Sequence, residues 1–248
     1  MEKKRFGLIG KGIGYSFSRT YFTEKFATEH RMGFSYENLD LENIGQFRDL
    51  LAKHDDWGGL NVTIPYKQQI IPFLDGLSET AAKIGAVNTI EFANGRLIGH
   101  NTDYLGFQKS INPLIGPPHR KALILGTGGA SKAVAFALQN LGIKSLNASR
   151  HPLDGEIAYD EITPQVMAAH QIIINCTPLG TSPNEDTAPE IPYQFFTRQH
   201  LAYDLVYNPP MTLFLRNAAI HGATTVNGLS MLQLQADEAW KIWTKSNS

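Results

Sequence analysis

The sequence has a single cysteine, Cys176, and lacks long hydrophobic runs. One cysteine cannot form an internal disulfide, and we expect Cys176 to pack as a buried hydrophobic residue. No apolar segment approaches the roughly 20 residues that a transmembrane helix needs. The N-terminus, Met1-Glu2-Lys3-Lys4-Arg5, leads into only a short apolar stretch, so we predict no signal peptide. These absences predict a cytoplasmic protein with no membrane partner.

An excess of charge of either sign is also missing. The 248 residues include 22 Lys and Arg against 23 Asp and Glu, a net charge of -1. Proteins that bind nucleic acid usually present a basic surface, so we expect no nucleic-acid partner and only local anion sites. A hydrophobic content of 42% is ordinary for a globular chain, and this length can bury two modest cores. The composition therefore favours two globular domains.

The most informative stretch is Leu123-Ile124-Leu125-Gly126-Thr127-Gly128-Gly129-Ala130-Ser131. It predicts a buried strand, a glycine turn and the start of a helix. Gly126 allows the tight turn, Gly128 lets a pyrophosphate approach the backbone, and the small Ser131 lets helix and strand pack closely. The helix N-terminus then faces the phosphates. Glycine turns also close strands for structural reasons alone, but the order of the elements here predicts a dinucleotide site.

Strands and helices alternate on both sides of this stretch, which predicts an α/β fold. In the N-terminal half, Ser18 is expected to cap a helix that Gly33 ends, and Asn94-Gly95 predicts a β-hairpin turn. The other elements predicted there are strands 6–9, 34–39 and 58–63 and the helix 44–51, with a turn or short helix starting at Pro65. A connecting helix, 104–115, precedes the glycine stretch. The elements predicted from there on are strands 123–125, 145–148, 172–175, 201–206 and 224–226, and helices 130–141, 211–221, 231–243 and one starting at Pro164 after Thr163.

Five stretches, in this order along the chain, resemble the shikimate dehydrogenase family. They are Ser16-Phe17-Ser18, Asn61-Val62-Thr63-Ile64-Pro65-Tyr66-Lys67, Gly85-Ala86-Val87-Asn88-Thr89, Asn101-Thr102-Asp103, and Gly126-Thr127-Gly128-Gly129-Ala130-Ser131. Two C-terminal stretches agree with the family as well: Tyr207 after Tyr203-Asp204-Leu205, and Asn227-Gly228-Leu229-Ser230-Met231 with Gln235. The resemblance thus covers nearly the whole chain.

The resemblance implies two α/β domains with a cleft between them. Residues 1–103 are expected to bind the substrate, completed by a C-terminal helix 231–248, and residues 104–230 to form a Rossmann domain that binds NADP. The implied activity is the reversible reduction of 3-dehydroshikimate to shikimate, in aromatic amino-acid and chorismate biosynthesis. The implied partners are these small molecules and NADP, and either a monomer or a homodimer is expected.

The resemblance also implies roles for individual residues. Lys67 and Asp103 are expected to be catalytic, because carbonyl reduction needs a proton donor at the developing alkoxide. Ser16 and Ser18 are expected to bind the carboxylate of the substrate. The other expected substrate-binding residues are Thr63, Lys67, Asn88, Asp103, Tyr207 and Gln235. The expected cofactor-binding residues are Gly126, Thr127, Gly128, Gly129, Ala130, Ser131, Ser149, Arg150, Thr177, Gly228 and Met231. No metal site is predicted.

Each of these residues also has a structural explanation. Lys67 could be a solvated surface lysine, Asp103 a helix N-cap, Asn88 a turn residue, and Met231 part of a core. Their joint order along the chain favours the functional interpretation.

The chain departs from the family's pattern at three places. Arg19 stands where proline is common, and Ser230 replaces the second glycine of Gly-Leu-Gly. Ser149-Arg150-His151 replaces the usual Asn-Arg-Thr, and Asp154 takes a second basic position, which leaves Arg150 as the cationic partner for a 2'-phosphate. A strand that ends in Ser149-Arg150, without an acidic residue, still favours NADP over NAD. A quinate-accepting relative and a non-catalytic dinucleotide sensor remain the alternatives.

Overall fold

The computed structural model describes residues 3–14 and 16–245, so Tyr15 and the last three residues of the predicted helix 231–248 lie outside it. The described residues form two compact units. Unit 1 comprises those of Met1–Thr102 and Gln235–Ser248, and unit 2 comprises Asp103–Leu234. Among the described residues, each unit contains one six-stranded sheet. The predicted α/β class is confirmed.

Unit 1 has a mixed sheet in the strand order β2-β1-β3-β5-β6-β4. Its strands are β1 (Lys4–Gly10), β2 (Phe34–Asp40), β3 (Trp57–Val62), β4 (Gly76–Leu77), β5 (Thr89–Ala93) and β6 (Arg96–His100). Its helices are α1 (Phe17–Thr28), α2 (Phe47–Leu51), α3 (Glu79–Ile84) and most of α8 (Leu229–Lys245). Strands β1, β2 and β3 run parallel, whereas β5 pairs antiparallel with both β3 and β6.

The hairpin between β5 and β6 forms as predicted. Asn94 and Gly95 have φ of 52° and 73°, the left-handed pair that a two-residue type I′ turn requires. Ala93 pairs with Arg96 across the turn. The hairpin thereby fixes the register that brings Thr89 opposite His100.

The C-terminal helix α8 packs its aromatic residues into the core of unit 1. Trp243 is buried, and its indole N–H donates to the carbonyl oxygen of Ile90 at 3.0 Å. A Cβ on Gly59 in β3 would lie 2.3 Å from Trp243 Nε1, so only glycine fits there. The part of α8 from Gln235 onward therefore belongs to the fold of unit 1.

Unit 2 has an all-parallel sheet in the strand order β12-β11-β10-β7-β8-β9. Its strands are β7 (Lys121–Leu125), β8 (Lys144–Ser149), β9 (Glu156–Ala158), β10 (Ile172–Asn175), β11 (Leu201–Asp204) and β12 (Thr224–Val226). Its helices are α4 (Asp103–Ile111), α5 (Gly129–Asn140), α6 (Pro164–Ala169), α7 (Leu213–Ile220) and the start of α8. The predicted alternation of strands and helices around the glycine stretch is confirmed. No helix among the described residues combines the length and the apolar composition needed to cross a bilayer.

Some predicted elements are wrong in detail. The N-cap of α1 is Ser16, whose Oγ accepts the N–H of Ser18 at 3.2 Å, so Ser18 lies inside the first turn. This helix ends at Thr28 rather than near Gly33, because the chain turns at His30 with a φ of 54°. Helix α4 ends at Ile111 and continues only as a 3-10 turn over 112–114. Three short elements, β4, α3 and β9, have no counterpart among the elements predicted from the sequence.

Candidate active site

The carboxyl ends of β1 and β3 carry the first predicted substrate residues. Thr63 follows β3, and its N–H donates to the carbonyl of Ile9 at 2.8 Å. A Cβ on Gly10 would lie 2.6 Å from Thr63 Cγ2, so the loop after β1 passes directly over Thr63. That loop leads to Ser16. Carboxyl ends of parallel strands are the usual position of ligand sites in α/β sheets.

The carboxylate of Asp40, at the end of β2, holds the loop after β1. Its two oxygens accept the N–H groups of Gly12 at 2.8 Å and Ile13 at 3.2 Å. The N–H of Ser16 in turn donates to the carbonyl of Ile13 at 3.0 Å. The position of Ser16 is thus fixed by backbone hydrogen bonds before any ligand binds.

A buried hydrogen-bond network leads from Ser18 into the sheet. Ser18 hydrogen-bonds the hydroxyl of Tyr36, and that hydroxyl donates to Asn61 Oδ1 at 2.8 Å. Burial raises the pKa of Tyr36, so the phenol remains a donor. Asn61 Nδ2 contacts Thr89 Oγ1 at 3.3 Å and the carbonyl of Asn88 at 3.2 Å. The network connects Ser18, which is expected to bind the substrate carboxylate, to Asn88 directly before β5.

Asn88, Thr102 and Gln235 form the centre of this network, and all three are buried. Asn88 Nδ2 donates to Thr102 Oγ1 at 2.9 Å and to Gln235 Oε1 at 3.2 Å. Asn88 Oδ1 accepts the N–H of Thr102 at 2.6 Å. The structure therefore brings together two residues that the sequence predicted, Asn88 and Gln235, around one to which it gave no role, Thr102.

Lys67 lies in the turn that follows the cis Ile64-Pro65 peptide, not in a helix, and it is half-buried. Its carbonyl accepts the N–H of Val87 at 2.7 Å, which places its backbone one residue from Asn88. Asp103 is buried, directly follows Thr102 and is the first residue of α4. The backbone of Lys67 is therefore hydrogen-bonded to the residue before Asn88, and Asp103 is the residue after Thr102.

The glycine turn in unit 2 has the geometry of a phosphate-binding loop. Gly126 has a φ of 103°, and its N–H donates to the carbonyl of Ala148 at 2.9 Å. Thr127 and Gly128 are exposed, and a Cβ on Gly128 would meet no atom within 4 Å. Helix α5 starts directly after them at Gly129, and the N–H groups of its first turn point towards this open space. The backbone here fits the pyrophosphate of a dinucleotide.

Ser131 is completely buried, and its Oγ donates to the carbonyl of Gly128 at 2.6 Å. This hydrogen bond connects the first turn of α5 to the glycine turn. The small side chain also lets α5 pack closely on the sheet, as expected at the third position of the fingerprint.

Ser149 and Arg150 follow at the end of β8, the strand next to β7. Ser149 is buried, and its Oγ accepts the N–H of His151 at 3.2 Å. Arg150 and Asp154 are exposed. The guanidinium of Arg150 is therefore accessible at the strand end where the ribose of a bound dinucleotide is expected.

Thr177 and Gly228 occupy the loops after β10 and after β12. A Cβ on Gly126 would lie 3.1 Å from Thr177 Cγ2, so Thr177 borders the glycine turn. A Cβ on Gly228 would lie 2.0 Å from the carbonyl oxygen of Leu205, so the chain can pass there only as glycine. Gly228 thus has a structural reason to be glycine, independent of any cofactor.

Tyr207, after β11, is half-buried, and Met231 is buried in the core of unit 2.

Cys176 is partly buried against the same core, and burial raises the pKa of its thiol, which packs in the neutral form. Within residues 3–14 and 16–245, no group of three or more His, Cys, Asp and Glu side chains could hold a metal ion.

A second buried polar cluster was not predicted. Asp204, completely buried at the end of β11, accepts hydrogen bonds from Asn175 Nδ2 at 3.0 Å, Val206 N at 3.0 Å and Thr212 Oγ1 at 2.6 Å. Burial raises the pKa of Asp204 to about 6, against the opposing effect of these donors. The signal was present in the sequence, because Asn175 and Asp204 each end a short apolar strand.

Comparison with known proteins agrees with this geometry. Residues 8–90 match the family model described as the shikimate dehydrogenase substrate binding domain. A protein of Desulforamulus reducens named shikimate dehydrogenase (NADP(+)) is 40% identical over an alignment of 266 positions that covers 96% of this chain and 89% of that protein. The chain belongs to the shikimate dehydrogenase family. The family resemblance of the sequence motifs is thus confirmed.

Two solved structures show how the family relates to this fold. Shikimate 5-dehydrogenase from Thermus thermophilus, solved in complex with NADP(H) and shikimate, is 32% identical with a TM-score of 0.85, over 98% of this chain and 94% of that one. Quinate dehydrogenase from Corynebacterium glutamicum, solved in complex with NAD, is 28% identical with a TM-score of 0.85, over the same shares. A shikimate 5-dehydrogenase and a quinate dehydrogenase thus share the fold of this chain.

Proposed function

We propose that this chain is an NADP-dependent shikimate dehydrogenase, an oxidoreductase that interconverts shikimate and 3-dehydroshikimate in aromatic amino-acid biosynthesis. The observation that carries the proposal is the coincidence of two features. Unit 1 has a buried network of neutral hydrogen-bonding groups around Asn88, and unit 2 has an open glycine turn at the start of α5. Unit 1, with most of α8, is proposed to bind the substrate and unit 2 the cofactor.

The substrate is a ring acid with several hydroxyl groups, which calls for fixed neutral donors and acceptors. We assign its carboxylate to Ser16 and Ser18, at the N-terminus of α1. Ser16 Oγ accepts the N–H of Ser18, and a serine hydroxyl that accepts one hydrogen bond still has an O–H to donate. The partial positive charge of the helix N-terminus adds to the attraction of an anion.

The ring hydroxyls are assigned to Thr63, Asn88 and Gln235, and Tyr207 is also assigned to the substrate. Asn88 and Gln235 are held by hydrogen bonds to Thr102 and to each other, so their orientation is set in advance. Such preorganisation lowers the entropy lost when the substrate binds.

Lys67 and Asp103 are assigned to the chemical step. Bound NADPH supplies the hydride for the ring carbonyl carbon. As negative charge grows on the carbonyl oxygen, the ammonium of Lys67 stabilises it and donates the proton that completes the new hydroxyl. The carboxylate of Asp103 holds the ammonium and accepts a hydrogen bond from a substrate hydroxyl.

NADP is assigned to the glycine turn, with the pyrophosphate at Gly126 to Ser131 and the 2'-phosphate at Ser149 and Arg150. An NAD site usually has an acidic residue at the end of its second strand, whereas β8 ends in Ser149 and is followed by Arg150. We assign Thr177, Gly228 and Met231 to the nicotinamide side.

A quinate dehydrogenase is the second candidate, because the Corynebacterium glutamicum enzyme has the same fold. The pair Ser16 and Ser18 resembles the pattern of the shikimate branch and favours the first candidate. A non-catalytic sensor is disfavoured because both Lys67 and Asp103 are present.

Initial rates with shikimate and quinate, each with NADP and NAD, test the proposal. We expect the highest kcat/KM with shikimate and NADP. The proposal is wrong if quinate with NAD is the best pair, or if no pair gives reduced cofactor while NADP still binds.

A further inference from the structure

The carboxylate of Asp204 is a feature of unit 2 that the proposed roles leave unexplained. It is completely buried at the end of β11, and its described partners include three hydrogen-bond donors. Burying a carboxylate is costly, and an apolar side chain of similar size often serves stability as well or better. A buried carboxylate at the edge of the sheet where ligands bind therefore calls for a reason beyond stability.

One oxygen of Asp204 organises the loop after β10. Asn175 lies opposite Asp204 in the sheet register, and Asn175 Nδ2 donates to Asp204 Oδ1 at 3.0 Å. This bond leaves Asn175 Oδ1 facing Thr177, from which it accepts the backbone N–H at 3.0 Å and the hydroxyl at 2.6 Å. Thr177 borders Gly126 in the glycine turn. Asp204 is thus connected through Asn175 to the proposed cofactor loop.

The other contacts of Asp204 organise the loop after β11. Asp204 Oδ1 accepts the N–H of Val206, and Oδ2 accepts the hydroxyl of Thr212, the N-cap of α7. The carbonyl of Val206 in turn accepts the N–H of Gly228 at 3.1 Å. The same carboxylate therefore fixes the backbone on which Gly228 packs.

We propose that Asp204 is a positioning residue for NADP, which holds the Thr177 loop and the Val206–Gly228 segment at the distance and orientation that the bound cofactor requires. This inference rests on the proposed function and adds a group that makes no contact with substrate or cofactor. An acceptor is needed at both oxygens, because all three of these partners donate. Asparagine has nearly the same shape but offers only one acceptor atom, so it cannot satisfy all of them.

The test uses two variants and a matched control. Asp204→Asn removes the charge and one acceptor. Thr212→Val removes both the donor to Oδ2 and the N-cap acceptor for the N–H of Leu215, whereas Thr212→Ser retains both. The control is His200→Ala, because His200 is also buried and hydrogen-bonded, to Thr197 and the carbonyl of Met167, but directly precedes the opposite end of β11. The dissociation constant of NADP is measured by calorimetry, and KM is measured for NADP and for shikimate.

We expect Asp204→Asn to raise the dissociation constant and KM of NADP about tenfold or more and to leave KM for shikimate within twofold. Thr212→Val should give a smaller change of the same kind, and Thr212→Ser should restore NADP binding. The control should lose stability without this selective loss.

The inference is overturned if Asp204→Asn binds NADP as tightly as the unchanged protein, or if His200→Ala weakens NADP binding equally. It is also overturned if KM for shikimate rises as much as KM for NADP. An unchanged protein that binds NADP but does not oxidise shikimate would refute the proposed function, and the calorimetric comparison would still decide the role of Asp204.

Discussion

Replacing Thr102 by valine should weaken shikimate binding without affecting NADP. The hydroxyl of Thr102 lies between two proposed substrate residues, 2.9 Å from Asn88 Nδ2 and 3.3 Å from Gln235 Oε1. Valine has nearly the same shape but no hydroxyl. The substitution therefore removes a hydrogen-bonding group and leaves the packing of a residue that is 1% exposed almost unchanged.

The size of the effect follows from burial. Asn88 Nδ2 loses one buried acceptor, and an unpaired buried donor costs about 1–3 kcal/mol. Part of this cost lowers the free energy of unfolding, and part appears as a less favourable orientation of Asn88 and Gln235. A loss of about 1.4 kcal/mol in substrate binding corresponds to a tenfold rise in KM for shikimate.

The assay combines urea unfolding with initial rates, and Thr212→Val is the comparison variant. Both variants remove a buried threonine hydroxyl, one in unit 1 and one in unit 2. We expect Thr102→Val to raise KM for shikimate and Thr212→Val to raise KM for NADP. If Thr102→Val raises both constants equally, or neither, then the Asn88 network does not orient the substrate.

Four further outcomes are expected. Lys67→Ala should lower kcat by roughly 10²–10⁴-fold, because the ammonium matters most in the transition state; a change confined to KM in steady-state rates would contradict this. Arg150→Ala should raise KM for NADP but not for NAD, and an unchanged NADP value would show that the 2'-phosphate binds elsewhere. Gly228→Ala should lower the melting temperature, because its Cβ would lie 2.0 Å from the Leu205 carbonyl oxygen; calorimetry that shows no loss would contradict this close contact. Because burial raises the pKa of Asp204 from 3.8 to about 6, the contribution of Asp204 to the unfolding free energy should fall by roughly 2 kcal/mol between pH 4 and 6, and the pH profile of Asp204→Asn should lack that contribution.

The sign of the last effect follows from proton binding. Between pH 3.8 and about 6 the folded protein keeps a proton on Asp204 that the unfolded chain has released, so the contribution of Asp204 to stability is greatest below this range and is lost as the pH rises through it. The ionisable side chains that face Asp204 are Cys176 and Tyr193. Burial raises the pKa of both, so neither changes its charge in this range.

Much of the fold could be predicted because local signals agreed with tertiary packing. The strand 123–125, the glycine turn and the following helix each have a pattern that their final environment reinforces. Asn94-Gly95 determines its own turn, since few other residue pairs adopt two successive left-handed conformations.

The rest depended on contacts that no local pattern contains. Ser16 and Ser18 are equally good N-caps in sequence, and the choice between them follows from the backbone bond between Ser16 and Ile13. Strands β4 and β9 have two and three residues and exist only through pairing with β6 and β8.

The polar networks show the same limit. The motifs name Asn88 and Gln235, yet only the fold shows that Thr102 joins them. Asn175 and Asp204 are 29 residues apart and become partners only because β10 and β11 are adjacent and in register. The roles of Lys67, Asp103 and the other site residues remain predictions that substitution must test.

The most direct test of the account is the rate of NADPH formation by the purified protein with shikimate and NADP, compared with quinate and with NAD. The account predicts that shikimate with NADP gives the highest kcat/KM and that Lys67→Ala reduces its kcat by at least about 100-fold. A protein that binds NADP but forms no NADPH from shikimate, or one that prefers quinate, would contradict it.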